Sequence, residues 1–342
     1  MTEESVVRIV LDTDEGNPTQ EVVPVGDDRL ALPVFLRRMA DQLEGRKVPG
    51  EAEVRRLTSL FLGAGLPVLR SAHMHSSWLE YRVPVPEDRR VVWYAALQRQ
   101  VTAMRDRGEL ENFFFVHKEP GVRIRFQVGP VAQQSVAGQL ATWLDTLKAR
   151  GLIETWCSSV YEPEQYIFGG PASMRSVHRL FTIDSLVWLR HLSADRPSGS
   201  AWALSLTLLK SLFGELGVLE QEDRDIWDRL RRQTHRQFHG AKPKNWERIS
   251  AGLRRLWCLP AELRPLLQLP ERSLLDDFRT DVAAECEVWR EEYFLTSGAR
   301  VGVREAAAFF TVFHWNRARL PLDWQTAICE SLVLGPLTES EV

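Results

Sequence analysis

The stretch from Phe113 to Phe126 constrains the fold more than any other, because it predicts two strands joined by a tight turn. Residues 113–116 and 122–126 are rich in aromatic and β-branched side chains, which favour strands. Between them, Glu119-Pro120-Gly121 offers Pro at position i+1 and Gly at position i+2 of a type II turn. The stretch therefore predicts a β-hairpin.

The second strand of this hairpin carries a pair of arginines. A side-chain period of two places Arg123 and Arg125 on one face and the apolar residues that alternate with them on the other. Two guanidiniums on one face suit carboxylate or amide oxygens, and His117 on the first strand could join them as a group that titrates near neutrality. The alternative is an exposed strand face that its charges keep soluble.

Composition describes an ordinary globular chain. With 342 residues and 44% hydrophobic residues, it is long enough for one large or two medium domains. A formal net charge of -3 argues against a broad nucleic-acid interface. No apolar run approaches the roughly 20 residues that span a bilayer, and the acidic start Met1-Thr2-Glu3-Glu4-Ser5 is unlike a signal peptide. We therefore expect a cytoplasmic protein with neither nucleic acid nor membrane as a partner.

The four cysteines form no metal-binding pattern. Cys157, Cys258, Cys286 and Cys329 are scattered, without a C-x-x-C or Cys/His cluster, so we expect buried reduced thiols and no metal site. The twelve tryptophans fit either a core or a cavity for flat ligands, and their number does not choose between these.

Hydrophobic periodicity predicts an α+β protein, with a sheet layer covered by helices and a largely helical C-terminal half. Residues 1–75 form a predicted extension with strands at 6–11 and 21–25 and helices at 31–44 and 51–62. Residues 76–342 form the second predicted domain, with strands at 78–83 and 157–161 around the hairpin. Its predicted helices cover residues 87–107, 131–148, 174–191, 201–216, 220–237, 246–256, 274–295, 303–316 and 322–334. We expect the sheet and these C-terminal helices to interlock.

A second group of motifs follows the hairpin. The segment from Tyr161 to Pro171 reads Tyr-x-x-Glu-x-x-x-x-Gly-Gly-Pro, the segment from Phe181 to Ser185 reads Phe-x-x-Asp-Ser, and Asn316-Arg317 comes late in the chain. Together with a strand that begins at Trp78, this ordered set resembles the C-terminal elimination domain of lantibiotic dehydratases. The resemblance runs from about Trp78 to Arg317.

Departures from the family pattern point to a different reaction. Glutamate-eliminating members have Arg directly before the aromatic-Gly-Gly turn and His four residues before the late Asn-Arg, where this chain has Ile167 and Val312. Their Phe-Phe-Ile-Arg-Tyr strand also differs, with His117 in place of Arg. Elimination needs a cation and a base near the leaving group. The chain is most similar to stand-alone thiopeptide pyridine synthases, which join two dehydroalanines in a formal aza-[4+2] cycloaddition and release water and the leader peptide.

The resemblance implies an enzyme without a cofactor, because this reaction needs positioning and proton transfers alone. Its implied partner is a dehydrated, azole-containing precursor with its leader peptide, and association with other biosynthetic enzymes is open. Two alternatives remain: a partner in tRNA-glutamate-dependent dehydration that eliminates glutamate, and a non-catalytic leader-binding scaffold.

The resemblance also turns candidate residues into expected roles. On the helix at 274–295, a spacing of four places Glu285, Trp289 and Tyr293 on one face, although the same pattern fits simple packing. Tyr293 becomes the leading proton relay. The expected catalytic residues are Tyr293, Tyr166, His117 and Glu285, and the expected substrate-binding residues are Arg123, Arg125, Trp78, Tyr81, Trp289, Glu164, His314 and Arg317. Because residues 1–75 lie outside the resemblance, we expect leader binding there, at Arg37, Arg38, Arg55 and Arg56.

Overall fold

A computed structural model describes residues 21–75, 78–119, 121–194, 201–218, 221–267 and 269–336. The chain divides into two compact units, Met1–Arg70 and Ser71–Val342. The predicted strand over residues 6–11 lies outside the described residues. None of the described helices is long and apolar enough to cross a membrane.

The first unit contains a hairpin of strands β1 (Val22–Val25) and β2 (Asp28–Ala31), followed by helices α1 (Leu32–Leu43) and α2 (Glu51–His75). Pro occupies the first turn of α1, where its missing N–H costs nothing. A small core holds these elements together, formed by Val25, Phe35, Val48 and Val54. The strand and both helices agree with the prediction, except that α2 continues well beyond residue 62, because single glycines weaken a helix without ending it.

The second unit begins with a four-stranded antiparallel sheet. Its strands are β3 (Trp78–Val83), β4 (Asn112–Lys118), β5 (Gly121–Gln127) and β6 (Cys157–Ser159), in the order β4-β5-β3-β6. Helix α3 (Arg90–Asp106) connects β3 to β4, and α4 (Gln133–Ala149) connects β5 to β6. This β-α-β-β-α-β arrangement is the ferredoxin-like topology.

The predicted hairpin is confirmed, but its turn differs from the prediction. Lys118 pairs with Gly121, so Gly121 is the first residue of β5 and not the third position of a type II turn. Gly121 is needed for a different reason, since an added Cβ would lie 2.3 Å from the carbonyl oxygen of Val83. Glycine lets β5 approach β3 this closely.

Helices cover both faces of the sheet. On one face, Tyr94 of α3 contacts Phe115, and the hydroxyl of Tyr81 reaches the carbonyl of Ala137 on α4. On the other face, Phe114 packs against helix α6 (Pro171–Leu192) through Phe181. The interpretation of the arginine face as an exposed surface is therefore wrong for Arg125, whose relative exposure is 4%.

The rest of the second unit is helical, as predicted. Besides α6, its helices are α5 (Gln165–Phe168), α7 (Ala201–Glu215), α8 (Glu222–Gln233), α9 (Trp246–Cys258), α10 (Leu269–Trp289), α11 (Val303–Ala318) and α12 (Leu322–Leu332). A π-helical turn, Arg290–Phe294, follows α10. One continuous hydrophobic core joins the sheet to these helices, and Trp188, Trp227, Trp289 and Trp315 are fully buried within it. Many tryptophans therefore build the core.

The cysteines correct a prediction. Cys286 and Cys329 are buried, and burial raises the pKa of the Cys286 thiol to about 12. Cys157 and Cys258 are exposed, because Cys157 lies on a short edge strand and Cys258 ends a surface helix. The expectation of uniformly buried thiols is wrong for these two.

Candidate functional site

A cluster of polar side chains lies buried between the sheet and α6. We call this set the Arg125 cluster; its members are Glu80, Arg125, Tyr161, Glu164 and His178. β3 and β5 place Glu80 and Arg125 directly opposite each other. The extended segment before α5 supplies Tyr161 and Glu164, and α6 supplies His178.

Arg125 is at the centre of this cluster. Its Nε donates to Glu80 Oε2 at 2.7 Å, and its Nη1 lies 3.9 Å from Glu164 Oε1. Aromatic rings enclose the guanidinium, with Tyr161 4.4 Å and Phe114 4.9 Å from it. Cation–π contacts of this kind strengthen when they are desolvated. A buried guanidinium is thus held in a fixed position between two carboxylates and two rings.

Tyr161 completes a chain of hydrogen bonds. Its hydroxyl lies 3.2 Å from Glu164 Oε2 and 2.9 Å from His178 Nε2. Burial raises the pKa of Tyr161 well above its usual value, and the Glu164 carboxylate raises it further. The phenol therefore stays protonated and neutral. Among the described residues, neither Arg125 Nη1 nor Glu80 Oε1 has a hydrogen-bond partner, although both atoms are buried.

A second buried cluster links α6 to α11. Asp184 accepts from Arg317 Nε at 2.5 Å, and its other oxygen lies 2.7 Å from His314 Nδ1. His314 Nε2 lies 2.9 Å from the hydroxyl of Ser205 on α7. Burial opposes ionisation of Asp184, but His314 and Arg317 hold its pKa below its usual value. The predicted residues His314 and Arg317 are thus brought together, and their predicted role in substrate binding stays a prediction.

Four partly buried apolar side chains form a surface where α5 meets α11. Ile167 lies on α5 and Val312 on α11, beside Phe309 and Phe313. The rings of Phe168 and Phe313 have centroids 6.0 Å apart, which joins the two helices. Two of the positions that depart from the eliminating pattern, Ile167 and Val312, thus lie on helices that contact each other through Phe168 and Phe313. We call Ile167, Phe309, Val312 and Phe313 the apolar surface.

Tyr293 occupies the π-helical turn after α10 and is buried. Its hydroxyl oxygen accepts from the backbone N–H groups of Arg300 and Val301, at 3.0 and 2.9 Å. The same oxygen lies against Gly169, where an added Cβ would be 1.7 Å from it. Gly169 has φ +89°, so both its backbone conformation and the nearby phenol exclude a side chain. Tyr293 therefore adjoins the Gly-Gly turn that follows α5.

The sheet register corrects two predicted groupings. His117 pairs with Val122, so it lies on the face opposite Arg123 and Arg125 and does not join them. The structural reason is the two-residue side-chain period. His117 instead bonds Tyr94 and Asn316, and burial lowers its pKa to about 4. The catalytic role of His117 stays a prediction. The partners of its side chain, Tyr94 and Asn316, lie outside the Arg125 cluster.

Trp78 and Tyr81 also separate. Trp78 lies on the cluster face, where its ring contacts Tyr161 and Phe114 at centroid distances of 5.0 and 5.5 Å. Tyr81 points to the other face, where it contacts Trp156. Residues two apart in a strand share a face. Trp78 and Tyr81 are three apart, so their side chains lie on opposite faces.

The remaining predicted residues of the second unit are spread over different surroundings. Tyr166 is 95% exposed. Trp289 donates to the hydroxyl of Ser173 at 2.8 Å inside the core, and Glu285 lies 3.3 Å from Arg179. Arg123 is only half-buried. The expected shared face of Glu285, Trp289 and Tyr293 is kept, since all three are buried. They contact Arg179 and Ser173 of α6 and Gly169 just before it.

The first unit contains the four arginines predicted to bind a leader peptide. Arg37, Arg55 and Arg56 are exposed. Arg55 pairs with Glu51 at 2.7 Å and Arg56 with Glu53 at 2.6 Å along α2, while Arg38 reaches the carbonyl of Pro49 at 3.4 Å. Ion pairs on a protein surface contribute little free energy, so a ligand can displace them easily.

Sequence reasoning missed several residues of the two clusters as functional candidates. Glu80 is a carboxylate inside an apolar strand, directly opposite Arg125, and that pattern signals a buried ion pair. His178 and Asp184 lie on α6, and Asp184 was visible as the Asp of the Phe-x-x-Asp-Ser motif. Nothing in the sequence separates His178 from an ordinary core histidine, since its partner Tyr161 lies on another element.

A family model covers most of the second unit. The family model described as "Lantibiotic biosynthesis dehydratase C-term" matches residues 78–331, about three quarters of the chain. This protein belongs to that family.

The chain matches only part of the length of two relatives. It is 26% identical over 117 residues to the subtilin biosynthesis protein SpaB of Bacillus subtilis, a match that covers 34% of this chain and 11% of SpaB. The crystal structure of the tRNA-dependent lantibiotic dehydratase MibB from Microbispora sp. 107891 aligns with 75% of this chain and 27% of that chain, with a TM-score of 0.54 and 15% identity. The chain thus matches little more than a quarter of MibB, and this likeness shows a shared fold.

Proposed function

We propose that this protein is a thiopeptide pyridine synthase, which closes a macrocycle by a formal aza-[4+2] cycloaddition between two dehydroalanines of a precursor peptide. The observation that carries the proposal is the apolar surface. At the two positions where eliminating members have Arg and His, this chain has the partly buried apolar residues Ile167 and Val312, on helices α5 and α11 that contact each other through Phe168 and Phe313. An apolar surface suits azoles and dehydroalanines better than a charged glutamyl group.

The reaction is balanced without an oxidant or reductant. An amide next to one dehydroalanine shifts to its imidic-acid form and makes a 2-azadiene. The second dehydroalanine adds across it, so that two C–C bonds form, one at the methylene carbon of the azadiene and one at its imidic carbon. Loss of water, then of the leader as its carboxamide, gives the aromatic pyridine. Each step needs only proton transfers and the correct approach of two distant parts of one peptide, for which positioning contributes roughly 7 to 11 kcal/mol.

The Arg125 cluster supports this proposal as a hydrogen-bonding site for the reacting amide. Arg125 Nη1 has an N–H that no described residue accepts, and it can donate to an amide oxygen as that oxygen becomes an imidic acid. Glu164, 3.9 Å from this nitrogen, is a carboxylate able to receive a proton. Tyr161 remains neutral beside it and fixes the orientation of Glu164.

Tyr293 is the proposed proton relay. Its oxygen already accepts two backbone N–H groups, which fixes the hydroxyl and leaves its own proton as the group to be donated. Its position against the Gly169 turn links it to the segment that carries Glu164 and Ile167. The phenol can give a proton to the leaving water and recover it without holding a permanent charge.

The test is a mass assay on a fully dehydrated, azole-bearing precursor peptide. The proposal expects a smaller macrocyclic product and free leader carboxamide. Conversion of a glutamylated precursor to dehydroalanine, without cyclisation of the dehydrated one, would instead establish glutamate elimination. An unchanged mass for both precursors would indicate a leader-binding scaffold and overturn the proposal.

Glutamate elimination is the second candidate function. The observation in its favour is the buried Arg125 with its unpartnered Nη1, a cation of the type that elimination needs near its leaving group. Ile167 and Val312 argue against it, because neither residue can move a proton.

A further inference from the structure

The sheet of the second unit ends in two edge strands with different surroundings. The β4 edge is closed, because Asn316 bonds both backbone groups of His117 and the Thr182 hydroxyl accepts from the N–H of Phe113. β6 forms the other end of the sheet, and no strand in the described parts of the chain pairs with its outer side. Val160, directly after it, is 83% exposed. An open edge of this kind accepts an added strand.

The register shows which backbone groups of β6 point outward. Lys118 and Gly121 flank a two-residue connection, so they form a hydrogen-bonded pair, and bonding then alternates along each strand. Carried across β5 and β3, this alternation directs the backbone groups of Cys157 and Ser159 toward β3. The N–H and C=O of Ser158 therefore point away from the sheet, where a further strand would bond them.

A cavity of about 280 Å³ opens beside the start of β6. Three cations, Lys118, Arg82 and Arg123, line it together with the apolar residues Trp156, Val83 and Val122. No carboxylate is among its described lining residues. Arg82 does lie 3.7 Å from Glu80, which already accepts from Arg125. The cavity is thus complementary to an acidic side chain that has an apolar stem.

One cross-strand row connects the cavity to the open edge. Arg123, Arg82 and Cys157 are register partners, so their side chains share one face of the sheet. A residue on a strand added beside β6 would lie about 10 Å from Arg82, since neighbouring strands are spaced by about 4.8 Å. A glutamate and an arginine side chain together span that distance. The small Cys157 side chain between them leaves the path open.

We propose that the β6 edge binds an extended, acidic segment of the precursor peptide as a fifth strand, with a carboxylate entering the cavity toward Arg82 and Arg123. That the peptide is a precursor rests on the function proposed above. A peptide strand fits this edge better than a nucleic acid, because it supplies both the N–H and the C=O that Ser158 requires.

The two exposed thiols provide an internal reporter and its control. Cys157 lines the cavity, whereas Cys258 ends α9 and is not among the cavity residues. The full chain is treated with iodoacetamide in the presence of labelled precursor peptide, and alkylation at each cysteine is followed by mass spectrometry. Bound peptide should slow alkylation of Cys157 several-fold and leave Cys258 unchanged. Equal rates at Cys157 with and without saturating peptide would overturn the proposal.

Matched variants test the edge and the charge separately, by fluorescence polarisation with the same labelled peptide. Ser158→Pro removes the outward N–H, which an edge strand tolerates, while Ser158→Ala keeps it. Proline should weaken binding and alanine should not. Arg82→Gln should weaken binding roughly tenfold, the cost of a charge-assisted hydrogen bond partly exposed to water. Arg150→Gln, an exposed arginine outside the cavity, should leave binding unchanged.

Three further outcomes separate this proposal from its competitors. A peptide whose Asp and Glu are replaced by Asn and Gln should bind weakly, and equal affinity would contradict the charged cavity. Protection of Cys157 by bacterial tRNA but not by the peptide would overturn the proposal in favour of a nucleic-acid site. Protection by the peptide without any cyclisation would support this edge site and refute the proposed reaction, because binding is measured without turnover.

Discussion

The side-chain amide of Asn316 forms two hydrogen bonds with the backbone of His117: its Oδ1 accepts from the His117 N–H and its Nδ2 donates to the His117 carbonyl, both at 2.6 Å. The amide thus occupies the place of a neighbouring strand at the β4 edge. The late Asn-Arg motif therefore has two structural functions, since Arg317 pairs with Asp184 inside the core.

Replacing Asn316 with Leu should destabilise the fold. Both backbone groups of His117 would lose their partners, at a cost of roughly 1 to 3 kcal/mol for each group left buried and unpaired. Urea unfolding measures the loss. Asn316→Asp is the matched variant. It keeps the acceptor and removes the donor, so we expect it to be less stable than the wild type as well. Wild-type stability in Asn316→Leu would show that water replaces the amide without cost.

The stability of the protein should depend on His117 between about pH 6.5 and pH 4. Burial lowers the pKa of His117 to about 4, so the unfolded chain binds this proton more readily than the folded one. The stabilisation is fully present above pH 6.5 and is lost as the pH falls toward 4, by roughly 3 kcal/mol in all. Unfolding free energies of the protein and of His117→Gln, compared at several pH values, isolate this contribution. Parallel pH profiles would contradict the prediction.

Placing charge in the apolar surface should stop cyclisation. The double variant with Ile167→Arg and Val312→His carries the two residue types of the eliminating pattern, and a guanidinium there would disfavour flat apolar groups. We expect loss of macrocycle with retained binding of the precursor. The control pairs Ile167→Leu with Val312→Ile, which keeps the surface apolar and should keep most activity. Full cyclisation by the charged variant would place the reacting groups elsewhere.

Tyr293→Phe tests the proton relay. The substitution keeps the ring and removes the hydroxyl, and loss of a positioned acid or base lowers rates by about 10² to 10⁴. Because the hydroxyl also accepts from Arg300 and Val301, the stability of the variant must be measured alongside turnover. Tyr166→Phe removes the other predicted catalytic phenol, which is exposed, and shows whether a loss of turnover is specific to Tyr293. A Tyr293→Phe variant with near-wild-type turnover would leave Tyr293 a structural residue.

Reversing charge on the first unit tests the predicted leader-binding arginines. Arg37→Glu combined with Arg55→Glu should weaken binding of a labelled leader peptide, measured by fluorescence polarisation. Arg46→Glu is the control, since Arg46 is an exposed arginine of the same unit that already pairs with Asp41. If the control weakens binding as much, the effect is one of net charge. Unchanged affinity of the double variant would exclude this surface.

Local patterns in the sequence were enough to predict the family and most of the described elements, although β2 and α5 were missed. Alternation and helical periodicity depend on neighbouring residues, so the hairpin, the helices of the C-terminal half and the apolar Ile167 and Val312 could all be recognised without a structure. The Tyr-x-x-Glu motif also brought Glu164 to attention, and Tyr161 with it, because three residues of extended chain hold them close.

Contacts between distant elements had to come from the tertiary structure. The sheet register placed His117 and Tyr81 on the face opposite Arg125. Glu80, His178 and Asp184 acquired partners that are far away in the chain. Such pairings depend on strand order and on helix packing, where one residue of register or one extra residue in a turn reverses the direction of a side chain. No local pattern encodes that choice.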